Sequence, residues 1–298
     1  MPIPYDLLAL AAAACWAIAS ILSVAPARHL GAFAFSRWRM LIVASVLWCI
    51  SLASGGWQSV QPNLVWSMAA SGLIGIFIGD TALFSALNRL GPRRAGVLFA
   101  SHSAFSALLA YAVFDERMSG QTLVGALLTV SGVMCAMLFG KRSEERHDWE
   151  ADRGDVGVGV ALGLLAALCQ AGGTLIAKPA MGAGVDPVSA SAIRMSTACL
   201  AHWAILALGV SAARAHQPLN LKVLGQTALN GLVAMGLGMT LILLALKHGN
   251  VGMVAILSSV SPVLVLPLLW WRLGRAPASG AWLGAGLTVL GTVLILSR

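Results

Sequence analysis

The chain has 298 residues, 58% of them hydrophobic and 10% charged, with a formal net charge of +8. A soluble domain carries roughly 25% charged residues, so the composition excludes a molecule whose whole surface meets water, and much of the outside must face lipid. The positive balance is no nucleic-acid signature, because the basic residues sit singly or in pairs at the ends of apolar runs rather than in a stripe interleaved with aromatics.

A membrane-crossing helix needs about 20 mostly apolar residues. In chain order, such runs are predicted at 5–24, 32–53, 66–88, 95–114 and 120–140, then at 156–177, 187–209, 224–246, 250–271 and 279–297. The opening MPIPYD has no Lys or Arg, so the first run is expected to be a retained helix rather than a cleaved signal. Turn-forming residues fall at or near the gaps: Pro26, Gly31, Gly55, Gly56, Pro62, Gly91, Pro92, Gly120, Pro187, Pro218, Gly249 and Pro277. One long polar segment, KRSEERHDWEADRGD at 141–155, reads as a solvated linker between a first unit, 1–140, and a second, 156–298. Cys15, Cys49, Cys135, Cys169 and Cys199 lie inside apolar runs without CxxC spacing, so neither a disulfide framework nor a zinc site is expected, and no other cofactor is implied.

The two units resemble each other. A shift of 159 residues places Gly72 and Leu73 on Gly231 and Leu232, Gly79 and Thr81 on Gly238 and Thr240, and Ala86 and Leu87 on Ala245 and Leu246. The same shift places Gly125, Ala126, Thr129, Val130 and Gly132 on Gly284, Ala285, Thr288, Val289 and Gly291. Each unit has five spans, an odd number, so the second must insert upside-down relative to the first. The fold expected is all-α: ten transmembrane helices in two inverted five-helix repeats. Inverted repeats are a recurring plan of secondary transporters, with the substrate site near the midplane between the halves. Gly75 and Gly79, their mates Ala234 and Gly238, and Gly159 and Gly163 have the spacing that lets helix backbones approach closely, in a moving or a static contact.

An ionisable group at mid-membrane costs about 2.5 kcal/mol or more and so points to function. Arg39, Asp80, His102 and Arg194 are the candidates. Counted from their nearest loops, Arg39, Asp80 and His102 fall at one level, so Asp80 is expected to pair with His102 or Arg39. In the functional reading Asp80 holds a substrate amine or a proton and His102 tunes its charge; in the structural reading the group fastens three helices. Arg194, the repeat mate of Arg39, either attracts a carboxylate or extends its head toward the headgroups. Ser258, Ser259 and Ser261 beside Pro262 can free backbone carbonyls toward a cavity. Gln170, Thr174 and Asn230 are uncharged hydrogen-bonders, and Trp16 can stack on a flat apolar ligand; ordinary packing is the alternative for each. His202 reads as a satisfied packing residue.

Lys and Arg in short loops favour the cytoplasm. The loops after the odd-numbered spans hold twelve of them, against four on the other side, which places both termini outside. No HExxH, GxSxG or phosphate-loop pattern occurs, so a membrane-embedded enzyme is the weaker alternative. No ATP-binding segment occurs either, so a solute or ion gradient, with a proton or another coupling ion, or downhill flow is expected to drive transport.

Several stretches resemble the drug/metabolite transporter superfamily, specifically ten-helix proteins of two EamA-type repeats. They are ACWAIAS with Trp16, SRWRMLIVA with Arg39, the run ALKHGNVGMVAILSSVSPVLVLPLL at 245–269, and the closing GALLTVSG and GAGLTVLG. The resemblance implies a multi-pass inner-membrane carrier, monomeric or homodimeric, whose relatives move amino acids, nucleosides, sugars, polyamines or drugs and usually keep both termini inside. HGNVGMVA and the PVL that follows are similar to bacterial aromatic amino-acid exporters, which makes export of aromatic or other apolar amino acids the first expectation and export of drugs or cationic compounds the second. Two positions depart from the family pattern. Arg275 stands where the first repeat has Glu116, and Gln170 stands where an aromatic is expected opposite Trp16.

Overall fold

A computed structural model describes residues 4–139, 155–273 and 278–297. The linker expected at 141–155, apart from Asp155, lies outside the described residues, as do Arg275, Pro277 and Arg298. The described residues are helical, without a strand. We number the spans α1 Tyr5–Leu30, α2 Ala32–Ser54, α3 Pro62–Leu87, α4 Arg94–Phe114, α5 Gly120–Phe139, α6 Val156–Gly182, α7 Pro187–Ala207, α8 Leu221–His248, α9 Val251–Leu268 and α10 Ser279–Leu296. Among the described residues nine of these are long and apolar enough to cross a membrane; α7 falls short because it buries Ser189, Ser191, Arg194 and His202.

Two expected boundaries move. Pro26 does not end α1, which continues to Leu30, and α6 runs through Pro179 to Gly182. The turn after α1 is made by Gly31 alone, whose φ of 81° is a left-handed value that other residues reach only with strain. In the second half, side chains cap the helices: Asp155 accepts from Gly157 N–H at 2.7 Å, Asp186 from Ser189 N–H at 2.9 Å, and Asn220 from Val223 N–H at 2.9 Å.

Large apolar side chains such as Leu127, Leu200 and Leu290 are exposed on the outer surface. Exposed tryptophans mark both ends: Trp57 and Trp66 on the side of the termini, Trp271 and Trp282 on the other. This is the pattern of a lipid-facing wall with aromatic belts at the two interfaces.

The inverted relation is visible where α5 crosses α10. Gly132 meets Gly284 and Thr288, and Gly125 meets Gly291 and Ile295. Under the 159-residue shift each contact becomes its own partner with the two helices exchanged. That reciprocity, in antiparallel order, requires a two-fold axis perpendicular to both helices and hence within the membrane plane. Thr129 and Thr288 each bond back to their own helix at 2.9 Å, at Gly125 and Gly284.

The halves interlock. Ser71 of α3 donates to the Gly173 carbonyl of α6 at 2.5 Å, and Asn230 of α8 donates to the Ala19 carbonyl of α1 at 2.7 Å. These two bonds join repeat mates, so the first helix of each half is clamped to the third helix of the other. Gly75 and Gly173 bring α3 and α6 into backbone contact at that crossing. Both third helices also carry one π-helical stretch at matching places, Gly72–Ile78 and Leu232–Gly238.

Candidate functional site

Each fourth helix is broken halfway. In α4 the helix stops at Ala100 and restarts as His102–Phe114; in α9 it stops at Ser258 and restarts as Ser261–Leu273. The breaks at Ser101 and Val260 are repeat mates, and this interruption of the ninth span corrects the continuous 250–271 helix expected from apolarity. Discontinuous helices at corresponding positions of two halves are the construction by which transporters turn backbone groups toward a substrate. His102 and Ser261 open the two second segments. Ser258 and Ser259 bond back to Ala255 and Ile256 carbonyls at 3.1 and 2.7 Å, so they stabilise the end of their own segment.

Asp80 takes Arg39 as its ion-pair partner, at 2.8 Å, with side-chain exposures of 16% and 6%. His102 is not part of that pair: it lies 5% exposed against Phe99, with ring centroids 5.2 Å apart. The equal depth read from loop counting is therefore compatible with a different neighbour, because α4 presents His102 at its own break. Arg39 is further held by the faces of Phe35 and Phe84, at 5.1 and 5.8 Å, and packs on Gly231 of α8.

Trp16 donates its indole N–H to the Ala234 carbonyl at 3.0 Å, within the π-helical stretch of α8, and packs on Gly238. A π turn leaves carbonyls without their usual helical donors, and the indole satisfies one of them. Thr174 bonds back to the Gln170 carbonyl at 2.9 Å. Asn230 holds α1 through its amide nitrogen, while its Oδ1 is buried without a partner.

Arg194 does not extend to the headgroups: it is 1% exposed and among the largest fully buried side chains. His202 packs edge-on against Phe77 and Phe33, at 4.9 and 6.2 Å, but neither ring nitrogen finds a partner, so it is a packing residue without being a satisfied one.

Three features escaped the sequence. Lys178 donates to the Leu246 and Gly249 carbonyls, at 2.8 and 2.5 Å, and Glu116 accepts from Val251 and Gly252 N–H, at 3.1 and 3.4 Å. Together they fasten the α8–α9 hairpin on the side of the termini, where Glu116, Ser119, Asn250 and Met253 line a cleft of about 280 Å³. The third is a pair of matched hydroxyls. Thr240 donates to Ser191 at 3.0 Å, whereas their mates Thr81 and Ser36 are both buried without a partner. Superposing the two halves of the sequence would have shown the Ser36 and Thr81 correspondence, although not which half is bonded. Among the described residues no group of His, Cys, Asp and Glu is arranged to hold a metal ion.

No curated protein sequence matches the chain. A crystal structure of a protein 19% identical in sequence superposes with a TM-score of 0.78, covering 97% of this chain and 95% of that one; at this identity the likeness concerns the fold alone. The sequence profile of the EamA-like transporter family matches twice, over residues 3–138 and 157–297. Matched along both halves, the chain belongs to the EamA-like transporter family and is a multi-pass membrane transporter rather than an enzyme, working by alternating access between its inverted halves.

Proposed function

We propose that the chain exports amino acids, aromatic or otherwise apolar, or closely related metabolites across the inner membrane. The observation that carries this reading is the pair of matched breaks in α4 and α9, which lie between halves related by a two-fold axis in the membrane plane. Such breaks suit a zwitterion, because segment starts offer N–H groups to a carboxylate and segment ends offer carbonyls to an amine. The HGNVGMVA stretch at 248–255 supports the amino-acid class through its similarity to aromatic amino-acid exporters.

In this reading the two repeats are 1–140 and 156–298, and the solute lies between them. His102 and Ser261 at the segment starts, Trp16, Gln170 and Arg194 on the flanking helices, and the free Oδ1 of Asn230 are the contacts. Thr174, Ser258 and Ser259 shape the backbone around it. The Arg39–Asp80 pair stays closed. That pairing weighs against the cationic-drug alternative, since it occupies the carboxylate that a cationic substrate would need. A gradient of protons or of another ion is the expected driving force.

Flux into or out of proteoliposomes, measured over a panel of amino acids with and without a pH gradient, tests the proposal. Saturable flux of at least one aromatic or branched amino acid is the expected result. Absence of flux for the whole panel, with active transport of an organic cation, would transfer the assignment to the second class.

A further inference from the structure

Arg39 and Arg194 occupy matching positions in the two halves, and one of them is neutralised. Arg39 meets Asp80; the position that corresponds to Asp80 in the second half is Met239, a buried apolar side chain. Arg194 is 1% exposed, its Nε is buried without a partner, and among the described residues it makes no hydrogen bond or ion pair. Other carboxylates among the described residues are committed elsewhere. Asp115 bonds Arg117, Glu116 holds the start of α9, and Asp155 and Asp186 cap helix starts. A buried charge without a counter-charge is costly, so the fold tolerates it for a partner that arrives from outside the chain.

The guanidinium lies where α3 crosses α6, beside Gly75. The Arg194 backbone packs on Gly72, and its Nη2 faces Gly75, where an added Cβ would lie 3.6 Å away. In the other half the equivalent region is filled by the Trp16 indole against Gly238 and Ala234. Here the indole is replaced by Gln170, whose amide makes no hydrogen bond among the described residues. The unpaired guanidinium and this exchange of a large aromatic for a smaller, hydrogen-bonding side chain fall in the same half.

We propose that Arg194 is the receptor for the carboxylate of the transported solute, with the Gln170 amide as its neutral neighbour. This deepens the amino-acid reading and rests on it for the identity of the solute. Guanidinium suits the role because its planar fork matches a carboxylate in two parallel bonds. The second half therefore recognises the anion, while the first half has its own carboxylate built in at Asp80.

The test uses the full-length protein purified in detergent at fixed ionic strength. The thermal unfolding midpoint is read with L-phenylalanine and benzoate, and with their amides, L-phenylalaninamide and benzamide. Both carboxylates are expected to raise the midpoint of the native protein, and the amides to leave it in place. Arg194→Gln removes the effect, weakening binding by about tenfold or more, as loss of a charge-assisted pair does; Arg194→Lys retains part of it. Met239→Asp is the decisive companion, since it copies the first half. It should raise the ligand-free midpoint and abolish the response to carboxylates. The assignment is overturned if carboxylates and amides act alike on the native protein, or if L-phenylalanine protects Arg194→Gln as well as it protects the native chain. In the latter case the amino-acid reading survives. Protection by benzoate through Arg194, without protection by L-phenylalanine, upholds the anion site and removes the amino-acid reading.

Discussion

Removing the Asp80 carboxylate isolates the energetics of the one membrane-embedded ion pair seen among the described residues. Arg39 Nη2 lies 2.8 Å from Asp80 Oδ2, with little exposure on either side. At an effective dielectric of about 20, charges 4 Å apart attract by roughly 4 kcal/mol, and breaking a buried pair from one side costs about 3–5 kcal/mol because the other charge stays behind. The aromatic faces at 5.1 and 5.8 Å still hold the guanidinium after the carboxylate is gone, and such contacts return about 1 kcal/mol. Asp80→Ala should therefore cost about 3 kcal/mol. Removing both charges, as in Arg39→Met with Asp80→Ala, should cost less than the single change, since no uncompensated charge remains. The coupling between the two sites should be about 3 kcal/mol or more, since each single change costs about that much and the double change less than the single. A double-mutant cycle read by reversible unfolding in mixed micelles measures it. Costs that simply add, or an Asp80→Ala cost below about 1 kcal/mol, would refute the idea that the pair is a closed structural unit. The same cycle should be run with transport as the readout: Asp80→Asn with normal flux at normal expression would remove Asp80 from the mechanism.

Three further outcomes are expected. Gly132→Val and its mate Gly291→Val should destabilise the fold to a similar degree, by about 1–3 kcal/mol each as overpacking does, because each glycine faces backbone of the opposite helix; unequal thermal shifts would contradict the two-fold crossing. Trp16→Phe keeps the ring but releases the Ala234 carbonyl, and should cost about 1 kcal/mol in unfolding free energy. Lys178→Met frees two carbonyls at the α8–α9 hairpin, and hydrogen–deuterium exchange should rise at residues 246–252 while exchange in the α5–α10 crossing stays unchanged.

The spans were legible because a bilayer demands about 20 apolar residues per crossing, and the inversion because an odd number of spans was repeated. The Arg39–Asp80 pair was legible as one of two alternatives, since depth can be counted from loops but azimuth around a helix cannot. That gap is why His102 was put near Asp80 rather than beside Phe99. The break in α9 had a signal in Ser258, Ser259, Ser261 and Pro262, whereas its mate at Ser101 lies among small and apolar residues without a proline. The π-helical stretches left no trace, because an extra residue in a helical turn alters backbone bonding and not composition. Lys178 was legible only as a loop charge and Glu116 only as a position of the family pattern; which carbonyls or N–H groups they meet depends on how the opposite half folds over them. Arg194 as a mate of Arg39, and Met239 as the mate of Asp80, follow from the sequence repeat, but that Arg194 is buried without any partner appears only in the folded chain.

The unequal hydroxyl pairs have a meaning of their own. Two halves related by a two-fold axis in the membrane plane can open to one compartment at a time only if they take unequal conformations. Ser191 and Thr240 are joined while Ser36 and Thr81 each lack a partner, so the two halves of this chain are unequal at one matched contact. Alternating access through inverted repeats expects the bond to pass to Ser36 and Thr81 when the chain opens to the other side.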